Sequence, residues 1–161
     1  MVFVKRAEVG LHAGQLAFPG GNPEADDDSL AATAVREATE ELGLDRSSIT
    51  LVEQMTAVRA RTTGYIVTPF LARIDRPRRW SPDIEVAQVV ELPVDSLLDP
   101  GARQHRRMSF PTWPEPRDTP CLVVDGQVIW GLTLRILQPA LERLAVEHDL
   151  DGPPAGPASP R

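Results

Sequence analysis

Apolar residues recur at Ala31, Val35, Ala38 and Leu42 along residues 30–44, the spacing of three to four that lines one side of an α-helix. Glu37, Glu40 and Glu41 fall together on a different sector of the same helix, because positions three and four apart share a face. Such a helix packs one side and presents three carboxylates on the other. Asp28 or Ser29 offers an N-cap, and Gly43 a C-terminal residue that tolerates the left-handed conformation, so both ends are specified. Elsewhere the pattern shortens to runs of β-branched and apolar residues: 2–6, 16–18, 49–55, 65–74 and 84–93 read as strands. Residues 121–124 and 127–130 read as a hairpin about the Asp125-Gly126 pair. A second amphipathic helix is expected from about residue 131 to 147, kinked at Pro139. The remainder reads as connections: a loop over 8–15, a turn over 59–64 carrying Arg59 and Arg61, a proline-broken basic loop over 75–82, an exposed cationic turn over 103–107, and an irregular loop over 109–120 with four prolines.

A chain of 161 residues with 42% hydrophobic content can bury one good core, so one domain is expected over residues 1–150. The tail over 151–161, rich in Pro, Gly and Ala, buries too little apolar surface to order itself and is expected to be flexible. A net charge of -6 opposes a general nucleic-acid or membrane-surface binder. No eighteen-residue apolar run and no signal-like segment is present. The reading is a cytoplasmic protein with neither nucleic acid nor membrane as partner. Cys121 is alone, which rules out an internal disulfide and makes it a core thiol, and Trp130 is most simply core as well.

Three carboxylates on one face repel one another unless a cation offsets the repulsion. Hard oxygen ligands suit Mg²⁺ or Mn²⁺, and Gly20-Gly21 would let a backbone carbonyl approach such an ion closely. Without an ion, the same face is a solvated acidic surface. Arg59 and Arg61 suit bidentate phosphate contacts, or are solvated loop arginines. His12 is a hydrogen-bonding structural residue or a catalyst.

The run Arg36-Glu37-Ala38-Thr39-Glu40-Glu41-Leu42-Gly43-Leu44 resembles the core of the Nudix box, with every fixed position filled. Upstream, Gly21 lies one residue farther from Arg36 than in the general box, and counting back puts Asp28 where its Glu should be. The coenzyme A pyrophosphatase subgroup resembles this longer variant, with acidic residues such as Glu24 and Asp27 after the paired glycines. Four further segments are similar to that subgroup: His12-Ala13-Gly14-Gln15 leading into Phe18-Pro19-Gly20-Gly21, then residues 63–69, Asp83-Ile84-Glu85-Val86, and residues 129–133. One departure is Gly10, where an Arg usually stands.

The resemblance implies an α/β Nudix fold with a mixed β-sheet sandwiched between helices, and metal-assisted hydrolysis of a nucleoside diphosphate linked to another moiety. It implies that Gly21, Glu37, Glu40 and Glu41 hold Mg²⁺ or Mn²⁺, that Arg36 orients the acidic cluster, and that Glu37 or Glu85 is the general base, Glu85 being otherwise a distal metal ligand or an edge-strand surface residue. Arg59 and Arg61 would meet the pyrophosphate, with His12 and Arg106 as further substrate contacts. The substrate would be coenzyme A or a thioester, cleaved to 3′-phospho-AMP and a phosphopantetheine. The alternatives are a broader nucleotide hydrolase and a catalytically idle nucleotide-sensing module. The family also has a strand before residues 2–6. Either the true start lies upstream, or an exposed sheet edge is covered by a loop or by the partner in a homodimer.

Overall fold

The computed structural model describes residues 1–7 and 12–151, with side chains through residue 146. Strand β1 (Val2–Arg6) lies between β2 (Leu16–Ala17) and β7 (Val86–Glu91), antiparallel to both. A second antiparallel sheet has the order β10 (Gln127–Trp130), β9 (Arg117–Val124), β8 (Arg103–Met108). Two ribbons complete the β structure of the described residues: β3 (Ile49–Gln54) with β6 (Phe70–Ile74), and β4 (Val58–Arg59) with β5 (Ile66–Val67). The helices are α1 (Leu30–Leu42), the short α2 (Val94–Leu98) and α3 (Gly131–Asp151), with single 3₁₀ turns at Arg46–Ser48 and Pro100–Ala102.

Alternation along β1 decides the layering. Phe3 points into a core with Leu16, Val90, Leu122, Ile129 and Leu137, which joins the first sheet to the second sheet and α3. Val4 points the other way, against Leu42, Leu44 and Val86, and so fixes α1 on the opposite face. The first sheet is thereby held between α1 on one side and α3 on the other. Leu42 is completely buried, worth about 2–3 kcal/mol, and this packing more than intrinsic propensity holds a helix of three to four turns.

Several expectations are corrected. The strand expected over 65–74 is two, because Pro69 cannot donate to a ladder and interrupts it; its carbonyl instead accepts from the Met55 amide at 2.9 Å. Arg59, expected in a turn, belongs to β4. The cationic run expected as an exposed turn is the edge strand β8, imposed by pairing with β9. Pro120, expected in a loop, sits inside β9 opposite His105, and β10 pairs with β9 only from Cys121 onward, so the missing N–H of Pro120 costs no ladder bond on that side. Strand β7 starts at Val86, leaving Glu85 in the preceding turn. Helix α3 continues through Pro139 to Asp151, past the expected end. Residues 152–161, expected to be a flexible tail, lie outside the described residues. Cys121 is buried as expected, whereas Trp130 is only half-buried. No helix among the described residues is long and apolar enough to cross a membrane.

Candidate active site

The local sequence fixes α1 at both ends. Ser29, in an extended conformation, accepts a hydrogen bond from the Ala32 amide at 3.1 Å, and Gly43 closes the helix at φ 64° with its N–H on the Thr39 carbonyl. The helix is rotated so that Val35 and Leu42 are buried, and this carries Glu41 inward too, to 7% exposure. Its Oε2 accepts from the Gly20 amide at 2.9 Å. Burial pushes the Glu41 carboxyl up to about 7, with Glu37 and Asp83 adding repulsion, while the Gly20 hydrogen bond and the charge of Arg6 oppose the shift. A carboxylate kept in a low-dielectric site at this cost is poised to accept positive charge.

Arg36 is the hub of the acidic cluster. Its Nη1 meets Glu40 at 3.1 Å and Glu24 at 3.6 Å, and its Nη2 meets Glu37 at 3.2 Å and Asp27 at 3.1 Å. The Nε also donates to Asp27 at 3.1 Å, and Nη2 to the Asn22 carbonyl at 3.0 Å. The forked contact from Arg36, with the Glu24–Asp27 turn, holds the Asp27 carboxyl down to about 2, and the surrounding acids hold the guanidinium well above its usual value. Asp27, and not the Asp28 that counting selects, is therefore the partner of Arg36. The reason is a turn in the loop: the Asp27 amide donates to the Glu24 carbonyl and the Glu24 amide to the Asp27 carboxylate, which takes up the additional residue.

Gly21 packs directly on Glu37: a Cβ added there would lie 2.2 Å from Glu37 Oε1. Since the obstructed group is the end of a flexible side chain, Gly21→Ala should displace the Glu37 carboxylate rather than unfold the protein. The expected result is at least a tenfold loss of turnover, by about 1.4 kcal/mol or more in the barrier, with little change in thermal midpoint. Parallel activity and melting measurements check it.

The other residues singled out from sequence are dispersed. His12 Nδ1 lies 3.0 Å from Gln15 Oε1, and its ring packs on Phe110. Arg59 is exposed on β4, where its carbonyl accepts from Arg135 at 2.8 Å, and Arg61 is exposed in the following turn. Arg106 is exposed on β8, and Glu85 is exposed, its amide donating to Asp83 at 3.0 Å. Among the described residues none of these makes a hydrogen bond or ion pair with the α1 carboxylates. Asp27 and Asp83 stand in the sequence only as members of motifs, with no role assigned, and Arg6 is not singled out; the charges of Arg6 and Asp83 reach Glu41 from β1 and from the loop before β7. The one available signal for Asp83 is its place two residues before Glu85.

A divalent cation fits the chemistry of this site. The donors Glu37, Glu40, Glu41 and the Gly21 carbonyl are all hard oxygens, and the glycine leaves free the space a Cβ would fill beside Glu37. Glu37 and Glu40 are drawn to Arg36, and no three acidic or histidine side chains among the described residues stand at metal-coordinating geometry.

The NUDIX domain family model matches residues 1–111. An uncharacterized Nudix hydrolase, NudL, of Pectobacterium atrosepticum is 30% identical over 142 residues, covering 83% of this chain and 68% of its own length. The NudL of Yersinia pestis is 29% identical over 157 residues, covering 91% and 73%. Among solved structures, RenU, a Nudix hydrolase from M. smegmatis, superposes with a TM-score of 0.56 at 18% identity, over 99% of this chain and 78% of that one. A MutT/nudix family protein from Enterococcus faecalis gives 0.51 at 13% identity, over 90% and 54%. With the box, the layering and these likenesses together, the chain belongs to the Nudix hydrolase family, enzymes that use divalent cations to hydrolyse pyrophosphate bonds in small nucleotide substrates.

Proposed function

We propose that the protein hydrolyses the pyrophosphate of coenzyme A or its thioesters, with the α1 carboxylates and the Gly20-Gly21 loop as its metal site. The observation that carries the chemistry is Glu41, buried against the Gly20 amide and raised in proton affinity, beside a Glu37 carboxylate seated on Gly21. Glu37, Glu40, Glu41 and the Gly21 carbonyl would hold Mg²⁺ or Mn²⁺, which would supply polarisation of the phosphate oxygens and activation of the attacking water. Arg36 contacts Glu37 and Glu40 and offsets part of the repulsion among the carboxylates. The proton of the attacking water goes to Glu37 or to Glu85.

Support for the substrate comes from the segments similar to the coenzyme A subgroup, two of which are tied together: Thr133 Oγ1 donates to the Leu16 carbonyl at 2.9 Å across 117 positions. Arg59 and Arg61 take the pyrophosphate, and His12 and Arg106 the remainder. Gly10, in place of an arginine, weakens one contact. Coenzyme A should therefore be hydrolysed with a kcat/KM preference over the 3′-dephospho form that is below the tenfold to hundredfold worth of a fully held phosphate, roughly 1.5–3 kcal/mol. A Mg²⁺ assay with coenzyme A, dephospho-coenzyme A, nucleoside triphosphates and dinucleotides, with products separated by chromatography, tests this. Fast triphosphate hydrolysis with no coenzyme A cleavage would overturn the substrate and leave the Nudix chemistry standing.

Glu85→Gln separates the two candidate bases. If Glu85 takes the proton, kcat falls by about a hundredfold with KM little changed; kinetics equal to the parent would assign the proton to Glu37.

A further inference from the structure

Four aromatic rings from three segments meet at one end of the second sheet. The His12 and Phe110 ring centroids are 5.3 Å apart, Phe110 stands 5.9 Å from Trp113 and 5.7 Å from Trp130, and the two tryptophans are 5.8 Å apart. The guanidinium carbon of Arg117 lies 5.2 Å from the Trp113 ring centroid. Phe110 is buried, but His12, Trp113 and Trp130 are only half-buried, so the cluster opens to solvent.

Register places a second cation on the same surface. Arg117 pairs with Met108 and Thr119 with Arg106, so Arg106 and Arg117 are diagonal neighbours on one face of the β8–β9 pair, the face that also carries Trp130 opposite Cys121. Neither arginine has a carboxylate within ion-pair distance among the described residues; Arg106 Nε has only a 3.4 Å bond to Gln104. The loop that carries His12 is bonded to β1, the Gly14 amide donating to the Arg6 carbonyl at 3.2 Å and the Arg6 amide to the Gln15 carbonyl at 3.0 Å, and the charge of Arg6 acts on Glu41.

Half-exposed indole beside two unpaired guanidinium groups suits a ligand that is planar and aromatic at one end and anionic beside it. Bases stack on aromatic and guanidinium planes, and arginine takes phosphate in a forked contact. We infer that Trp113, Arg117 and Arg106 read the nucleotide half of the substrate, with the base against Trp113 and Arg117 and the ribose phosphate on Arg106. This rests on the proposed substrate class and assigns Trp113 and Arg117 as residues that determine specificity.

The test is metal-free binding, followed by tryptophan fluorescence and calorimetry, of adenosine 3′,5′-bisphosphate and adenosine 5′-phosphate. The bisphosphate should bind the parent more tightly, Trp113→Leu and Arg117→Gln should each raise its Kd by about tenfold, and Arg106→Gln should abolish the preference between the two nucleotides. Trp113→Phe keeps a stacking ring and should stay within about threefold of the parent, which separates stacking from loss of fold. Unchanged Kd in Trp113→Leu and Arg117→Gln, or no preference in the parent, would overturn the inference. So would a loss confined to Arg135→Gln, which lines a separate recess of about 360 Å³ between β4 and α3. Because no turnover is read, failure here with coenzyme A still cleaved sinks this site alone, while bisphosphate bound at Trp113 without coenzyme A cleavage sinks only the substrate.

Discussion

Glu41→Gln is expected to lower kcat by roughly a hundredfold or more at saturating Mg²⁺ while leaving the thermal midpoint within a few degrees of the parent. The amide is the same size as the carboxyl and its oxygen can still accept from the Gly20 N–H, so the 2.9 Å contact that seats the loop on α1 survives. What is lost is the negative charge, at the most buried of the three carboxylates. Glu40→Gln should also reduce turnover strongly, although Glu40 is more exposed and its loss leaves Arg36 paired with Asp27 and Glu37. Steady-state kinetics beside thermal melting decide the matter, and near-parental turnover in Glu41→Gln would remove Glu41 from the metal site.

The largest expected effect on stability is at Gly43. Alanine there would adopt φ 64°, and its Cβ would lie 1.9 Å from the Ser81 carbonyl oxygen, a backbone atom that cannot swing aside. Both the left-handed strain and the forced separation of α1 from the 75–82 loop act against the fold, so Gly43→Ala should cost about 3 kcal/mol or more. For a chain of this size that lowers the midpoint by roughly 6–12 °C. Gly126→Ala is the control: φ is 76°, yet nothing lies within 4 Å of the added Cβ, so only the strain of about 1 kcal/mol remains. Equal melting of the two variants would show that the contact with Ser81 contributes nothing.

Helix α1 was legible because its cap, its apolar stripe and its terminal glycine are all local signals, and Ser29, Val35, Leu42 and Gly43 take the places those signals assign. The hairpin about Asp125 and Gly126 was legible for the same reason, both residues having positive φ. Strand β8 was not, since Arg103 to Arg107 carry no apolar alternation and become a strand only by pairing with β9, a contact made across a proline-rich loop. Within the site, the three glutamates could be placed on one face by helical geometry alone. The choice of Asp27 over Asp28 could not, because it depends on how a loop of glycine, proline and acids folds back on Glu24. The aromatic cluster was equally hidden: His12, Phe110, Trp113 and Trp130 are brought together by sheet packing.

The most direct test of the central claim, that the α1 carboxylates with Gly21 hold the activating cation, is a Mn²⁺ titration followed by electron paramagnetic resonance on the substrate-free parent and on Glu41→Gln. The account predicts saturable binding of Mn²⁺ by the parent, competed by Mg²⁺, and at least tenfold weaker binding by the folded variant. Equal affinity in the two proteins would contradict it.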